Sequence, residues 1–256
     1  MAIATSGNPA PPVARGRSVE QRGVVRHDSI DAERWVVHGA AKVLRDAIVG
    51  PARLDGNVSI GGALRADRLE GEMQLEVAGN VTVRDTIALR GELRVGGTLS
   101  AGEATVRGIL RVVGAVTVDR RLEILGSTRI LSARAAEFRA TGVVEIPGPV
   151  RAGAVDLHLK NGSRLGAIEA RTVRIEAPVP NIFDSLVGRR TLVSVDRIEG
   201  ETVEIAGIDV EFVHAREVTL GPGCHATTVE GTVVRRHPTA RLGPESRSPA
   251  PHGLRR

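Results

Sequence analysis

Residues 108–126 read GILRVVGAVTVDRRLEILG, and this stretch restricts the fold more than any other part of the chain. Leu110 and Val112 form an apolar pair two residues apart, Val116 and Val118 a second, Leu122 and Ile124 a third, and the pairs start six residues apart. Apolar residues at i and i+2 with polar residues between them are the signature of a strand with one face buried. A helix would need them at i, i+3 and i+4. The same short alternation recurs in MQLEV, NVTV, ELRV, AVTV and RLEI, and β-branched residues dominate it.

Glycines lead many of these runs. Gly56, Gly71, Gly91, Gly108, Gly126, Gly142 and Gly162 stand 15 to 20 residues apart. Self-similarity at a period of that size marks a stacked-repeat architecture. The links between runs lack the two-residue Asn-Gly or Asp-Gly loops that reverse a chain. The reading that satisfies both facts is an all-β, parallel β-solenoid. Three strands of about six residues, turned at corners, make a triangular coil of about 18 residues, and coils stack at the ordinary strand spacing of about 4.8 Å. Val, Ile, Leu and Ala form ladders inside, Arg, Glu, Thr and Asp face out, and the glycines take corners. The composition suits thin aliphatic layers, with three Phe, one Trp and no Tyr in 256 residues.

The expected organisation is a Pro/Arg-rich disordered tail over 1–31, a main solenoid over 32–176, a Pro-rich break over 177–190, further coils in looser register over 191–234, and a basic disordered tail over 235–256. About ten coils follow from that body. The break, APVPNIFDSLVGRR, reads as a bulge, a lid or a joint between two solenoid segments. The formal charge of +5 is concentrated in the tails: six Arg against Glu245 lie in 235–256. Cation usage is almost wholly Arg, with Lys42 and Lys160 the only lysines, which is a compositional skew and no argument for nucleic-acid binding. Stacking aromatics are scarce. The single Cys224 forms no internal disulfide, no apolar run reaches 18 residues, and the N-terminus lacks an apolar signal core, so a cytoplasmic setting is expected. The basic tails suit peripheral contact with an anionic membrane face or another acidic partner.

The phrase Gly91-Glu-Leu-Arg-Val-Gly-Gly-Thr-Leu-Ser-Ala101, set in a solenoid between Pro-rich tails, resembles the bactofilins, polymer-forming cytoskeletal proteins of prokaryotes. The string REVTLGPGCHATTVEG, residues 216–231, fits the same likeness. The resemblance implies a right-handed solenoid, end-to-end polymerisation without a nucleotide, and a scaffold role. The body is longer than the compact bactofilin core, and the break at 177–190 departs from it.

Catalytic chemistry is not expected. The rival solenoid is the left-handed hexapeptide helix of acyltransferases, which carries one dominant aliphatic per six residues, keeps strict spacing and uses a histidine between coils. Here the pairs alternate, the glycine spacing varies, and His158 in VDLHLK and His214 in EFVHAR point outward. Cys224-His225 has no second pair at metal-ligand spacing, and Cys224 reads as a small apolar filler. Asp67 and Glu70 read as surface carboxylates. No phosphate-binding loop is present. No catalytic, cofactor or metal residue is therefore assigned, and the expected partner is a second copy. An end coil with unpaired backbone is a template for another chain. Phe212 and Val213 are the candidate self-association residues, and residues 31–44 or the turn at 181–187 the candidate caps. The remaining alternatives are an acyltransferase-like enzyme and a monomeric solenoid adaptor.

Overall fold

The computed structural model describes residues 13–179 and 193–243. It is all-β, 80% strand, with parallel strands stacked as a β-solenoid of about 12 turns spaced about 17 residues apart. The strands are β1 (Ala14–Gly16), β2 (Val19–His27), β3 (Ile30–Ala32), β4 (Trp35–Val43), β5 (Ala47–Ile60), β6 (Leu64–Val77), β7 (Val81–Val95), β8 (Leu99–Val118), β9 (Arg121–Ile146), β10 (Val150–Leu159), β11 (Arg164–Glu176), β12 (Ser194–Ala206), β13 (Asp209–Leu220), β14 (His225–Arg236) and β15 (Arg241–Leu242). At the strand spacing of about 4.8 Å, the rod is roughly 55 Å long.

The opening pairs all face the interior. Leu110, Val112, Val116, Val118, Leu122 and Ile124 are buried, while Thr117 between two of them is exposed. Each coil repeats this on three faces. On the first face Ala47 lies over Leu64 and Leu64 over Val81; on the second Trp35 lies over Ala52 and Ala52 over Leu69; on the third Val58 lies over Leu75 and Leu75 over Leu93. One coil has no second layer to bury its aliphatics against, so stability comes from stacking. Burying each aliphatic side chain is worth roughly 1.5–3 kcal/mol.

All seven glycines read as corners have positive φ, from 88° at Gly162 to 144° at Gly126. With no break at such corners, single strands run round them, and β9 reaches 26 residues. Two polar residues enter the interior and are satisfied there. Thr128 donates its hydroxyl to the Leu110 carbonyl at 3.4 Å, and Ser163 accepts from Val144 N at 3.0 Å while donating to the Lys160 carbonyl at 2.6 Å.

Four expectations are corrected. The coil stack starts earlier and ends later than 32–234: β1, β2 and the start of β3 lie in the segment read as N-terminal tail, and the end of β14 and β15 in the segment read as C-terminal tail. Residues 1–12 and 244–256 of those tails lie outside the described residues. The rod therefore has about 12 coils, not ten. Residues 31–44 form no cap; they contribute the end of β3 and all of β4, inside the second coil. The break does not separate two solenoid segments. β12 pairs directly on β11, Arg164 opposite Ser194 through Ile175 opposite Ile205, so the chain leaves one coil and returns to the next. Most of the break itself, with the turn at 181–187, lies outside the described residues. The coils after it are also not loose. β12 and β13 pair in unbroken order from Ser194–Asp209 to Ile205–Leu220, and the register shifts between β13 and β14 are of the kind also found earlier in the rod, between β6 and β7, β7 and β8, and β8 and β9.

Candidate interaction site at the ends of the rod

The first described coil presents β1 and β2, each paired on one side only among the described residues: β1 with β3, β2 with β4. Along β2 the inward positions are Val19, Gln21, Val25 and His27, in register with Trp35, Val37, Ala41 and Val43. Two polar side chains thus sit where every neighbouring coil of the column is apolar. Gln21 Nε2 donates to His27 Nε2, which places the proton of a neutral His27 ring on Nδ1. Gln21 Oε1, His27 Nδ1 and the Nε1 of fully buried Trp35 have no hydrogen-bond partner among the described residues. A buried polar atom without a partner costs roughly 1–3 kcal/mol, so this end of the interior has unmet hydrogen-bonding capacity.

At the other end, β15 covers only His225 and Ala226 of β14. The remainder of β14 has no neighbour beyond it among the described residues. Val233, which continues the inward column from Val218, is 37% exposed, and Val234 is 57% exposed. Arg236 stands in the inward column above Leu220, and its Nε and Nη2 donate to the Ala240 carbonyl at 3.3 and 3.0 Å. Arg235, Arg236 and Arg241 are exposed around this edge.

Phe212 and Val213 are not end residues. β13 is covered on one side by β12 and on the other by β14, with Arg197 and Thr228 flanking Phe212 and Ile198 and Val229 flanking Val213. Val213 is wholly buried, and Phe212 lies on the outer surface with the Arg197 guanidinium 4.7 Å from its ring centre. The alternation pointed to a strand correctly but could not say that one more coil follows. The groups at the ends of the described coils, Val19, Gln21, His27, Val233 and Arg236, lie in or beside segments read as tails. The signal was present as V-x-Q and V-x-H spacing in VEQRGVVRH, masked by the polar residues in inward places.

His158 is exposed, with Asp156 at 3.7 Å and Glu176 at 3.4 Å, and His214 Nδ1 is 3.1 Å from Glu230. Asp67 pairs with Arg84 at 3.2 Å and Glu70 with Arg68 at 3.6 Å. Among the described residues no three His, Cys, Asp or Glu side chains come together as a metal site, and no helix is long and apolar enough to cross a membrane. One shallow groove follows a corner, where exposed Val113 and Leu131 adjoin Arg94, Arg111 and Arg129. All three of those arginines pair with carboxylates, Arg94 with Glu92 at 2.7 Å, Arg129 with Glu145 at 2.6 Å and Arg111 with Glu92 at 3.9 Å. Cys224 is buried, and burial pushes its thiol up to about 11. The sequence matches no protein-family model, no curated protein and no solved structure.

Proposed function

We propose that the protein is a non-enzymatic structural scaffold that self-associates through its end coils without a nucleotide, as the resemblance to the polymer-forming bactofilins implies. The observation that carries this reading is the pair of open ends. β2 and most of β14 each have one edge without a partner strand among the described residues, and Val233 stands in the interior column yet is exposed. Parallel edges of this kind accept further strands by main-chain hydrogen bonding, and the buried aliphatic columns give a second copy a surface to extend. The scaffold would act in the cytoplasm, with its basic tails available to an anionic membrane face. Sedimentation velocity across a hundredfold concentration range, with negative-stain microscopy, tests the reading. Mass growing with concentration is the expected result; a strict monomer at the highest concentration rejects it.

A monomeric adaptor is the second reading, favoured by the apolar corner groove at Val113 and Leu131. It predicts binding of a partner to the flank with the monomer mass of this chain unchanged.

A further inference from the structure

From the corner groove on the flank we infer that the rod receives an amphipathic α-helix of a partner protein, lying along the rod axis with acidic side chains beside its apolar stripe. This rests on the adaptor reading and names the chemistry of its partner.

The groove follows the corner after the third face. Its floor is the inward column Val77, Val95, Val112 and Ile130, in register from coil to coil. The residue after each of these forms one side. Ala78 and Gly96 are small, whereas Val113 is 75% exposed and Leu131 51% exposed. Two neighbouring aliphatics left in water on a charged flank gain by being covered. The residue before each floor position forms the other side. Glu76, Arg94, Arg111 and Arg129 stand in register there, and Glu145 lies 2.6 Å from Arg129. On the next face the exposed positions Thr82, Ser100 and Thr117 carry no charge. The aliphatic pair is thus flanked by cations on one side only.

The occupant has to bring its own backbone hydrogen bonds. At this corner the amides and carbonyls already pair along the axis: Gly96 N donates to the Val77 carbonyl at 2.8 Å, Gly114 N to Gly97 at 2.9 Å and Gly148 N to Leu131 at 2.9 Å. An extended strand laid here would turn its donors and acceptors onto aliphatic side chains, whereas a helix satisfies them internally. The spacing agrees. Three arginines one coil apart span about 10 Å, and helix positions i, i+4 and i+7 span about 10.5 Å. From Glu76 to Glu145 the groove runs about 19 Å, the length of roughly 13 helical residues.

The charges set the partner's sign. Arg94 is bonded twice to Glu92, at 2.7 and 3.1 Å, but Arg129 bonds Glu145 through Nε, and Arg111 comes only within 3.9 Å of Glu92, beyond hydrogen-bond distance. A guanidinium has five donors, so Arg111 and Arg129 keep most of theirs for an incoming carboxylate. A second copy of this chain does not fit the same groove. The column reads Glu, Arg, Arg, Arg, Glu in both directions, so two copies facing about a two-fold axis would set arginine against arginine.

The test uses the full chain and a labelled synthetic peptide of about 15 residues, enough to fill the groove. Leucine forms its stripe and glutamate one flank, and a twin carries lysine in place of glutamate. Fluorescence anisotropy should show the glutamate peptide bound about tenfold more tightly than the twin. Arg111→Glu should reverse that preference, and Val113→Asp should weaken the glutamate peptide about tenfold or more. Both positions are exposed, and unchanged melting of each variant separates lost binding from lost fold. Equal binding of the two peptides, a preference that Arg111→Glu leaves in place, or no binding of either would overturn the inference. Each of these leaves the adaptor reading open to a partner of other chemistry. That reading falls by a separate result: mass that grows with the concentration of this chain and that Val113→Asp holds at the monomer, which would make the groove a contact between copies.

Discussion

Gly108 lies so close above Gly91 that a Cβ on it would stand 2.0 Å from the Gly91 carbonyl oxygen. Its φ of +136° is also one that side chains rarely adopt. Gly108→Ala therefore faces two penalties, backbone strain and a collision with a carbonyl held in the sheet. The expected loss is about 3 kcal/mol or more, read from urea unfolding. Gly162 separates the two effects. Its φ is +88°, but nothing lies within 4 Å of its notional Cβ. Gly162→Ala should cost only the conformational part, about 1–2 kcal/mol. Equal losses at both sites would show that close stacking of corners contributes nothing.

Val116 and Thr117 are neighbours in one strand with opposite surroundings. Val116 is buried opposite Ala133, whereas Thr117 faces solvent opposite Arg134. The same substitution to Asp at each site isolates burial from chemistry. Val116→Asp places an unpaired carboxylate among aliphatics and should cost about 4 kcal/mol, opening adjacent coils. Thr117→Asp should stay within about 0.5 kcal/mol of the parent. Comparable melting of the two variants would put the inside and outside of this strand in doubt.

The interior was legible in the sequence because an aliphatic at i and i+2 has to be hidden on one side of a strand, and a chain turned at fixed intervals hides all of them on one axis. The spacing of glycines was a poorer guide than the columns. Gly56 is in register with Met73, and Met73 with Gly91, so Gly71 stands two residues ahead of the corner position that Met73 occupies. Likewise Gly142 is in register with Leu159, and Gly162 belongs to the extra turn that ends at Ser163. The intervals of 15 and 20 therefore record glycines out of column. Coil length itself still varies, from 15 residues between Ser194 and Asp209 to 18 between Val150 and Ile168, so uneven spacing counts against a hexapeptide helix alongside the inward pair on each face, such as Leu110 with Val112. The ends were illegible for a different reason. An end coil has only one neighbour to pack against, so Gln21, His27 and Arg236 can stand at inward places, and their polarity erased the alternation that identified the other coils.

Glu137 is held by two arginines, Arg121 Nε at 2.8 Å and Arg139 Nε at 2.7 Å. The hydrogen bond from Arg121 is the main cause of a carboxyl that titrates below its ordinary range; desolvation opposes it, and the hydrogen bond and charge of Arg139 add to it. A carboxylate lowered on folding stabilises the protein above its unfolded value, and that contribution disappears as pH falls through the folded value. Because the pair is partly exposed, the effect is small. Glu137→Gln should lose less than about 1 kcal/mol near pH 7. The gap between variant and parent should close in acid, below about pH 4, and shrink in about 1 M salt. A difference that persists unchanged at low pH would assign the loss to packing of the side chain rather than its charge.

Cys224 reports on the last coil. It is buried in the column that continues to Ala240, its Sγ lies 3.5 Å from the Ile205 carbonyl, and Arg241 N donates to the Cys224 carbonyl at 2.8 Å. With the thiol pushed up to about 11 by burial, the thiolate fraction at pH 8 is about a hundredfold below that of a free cysteine, before any steric block. Labelling by a disulfide reagent in native buffer should therefore be slower than in urea by far more than that factor, because the reagent reaches Sγ only when β15 and the turn before it lift away. Such opening is local, so the rate in dilute protein should be nearly insensitive to Val116→Asp at a distance of several coils. A second copy seated on β15 would hold this coil shut. If the ends join, the labelling rate per thiol should fall as protein concentration rises; a rate that is constant from dilute monomer to the highest concentration would place the joint elsewhere on the rod.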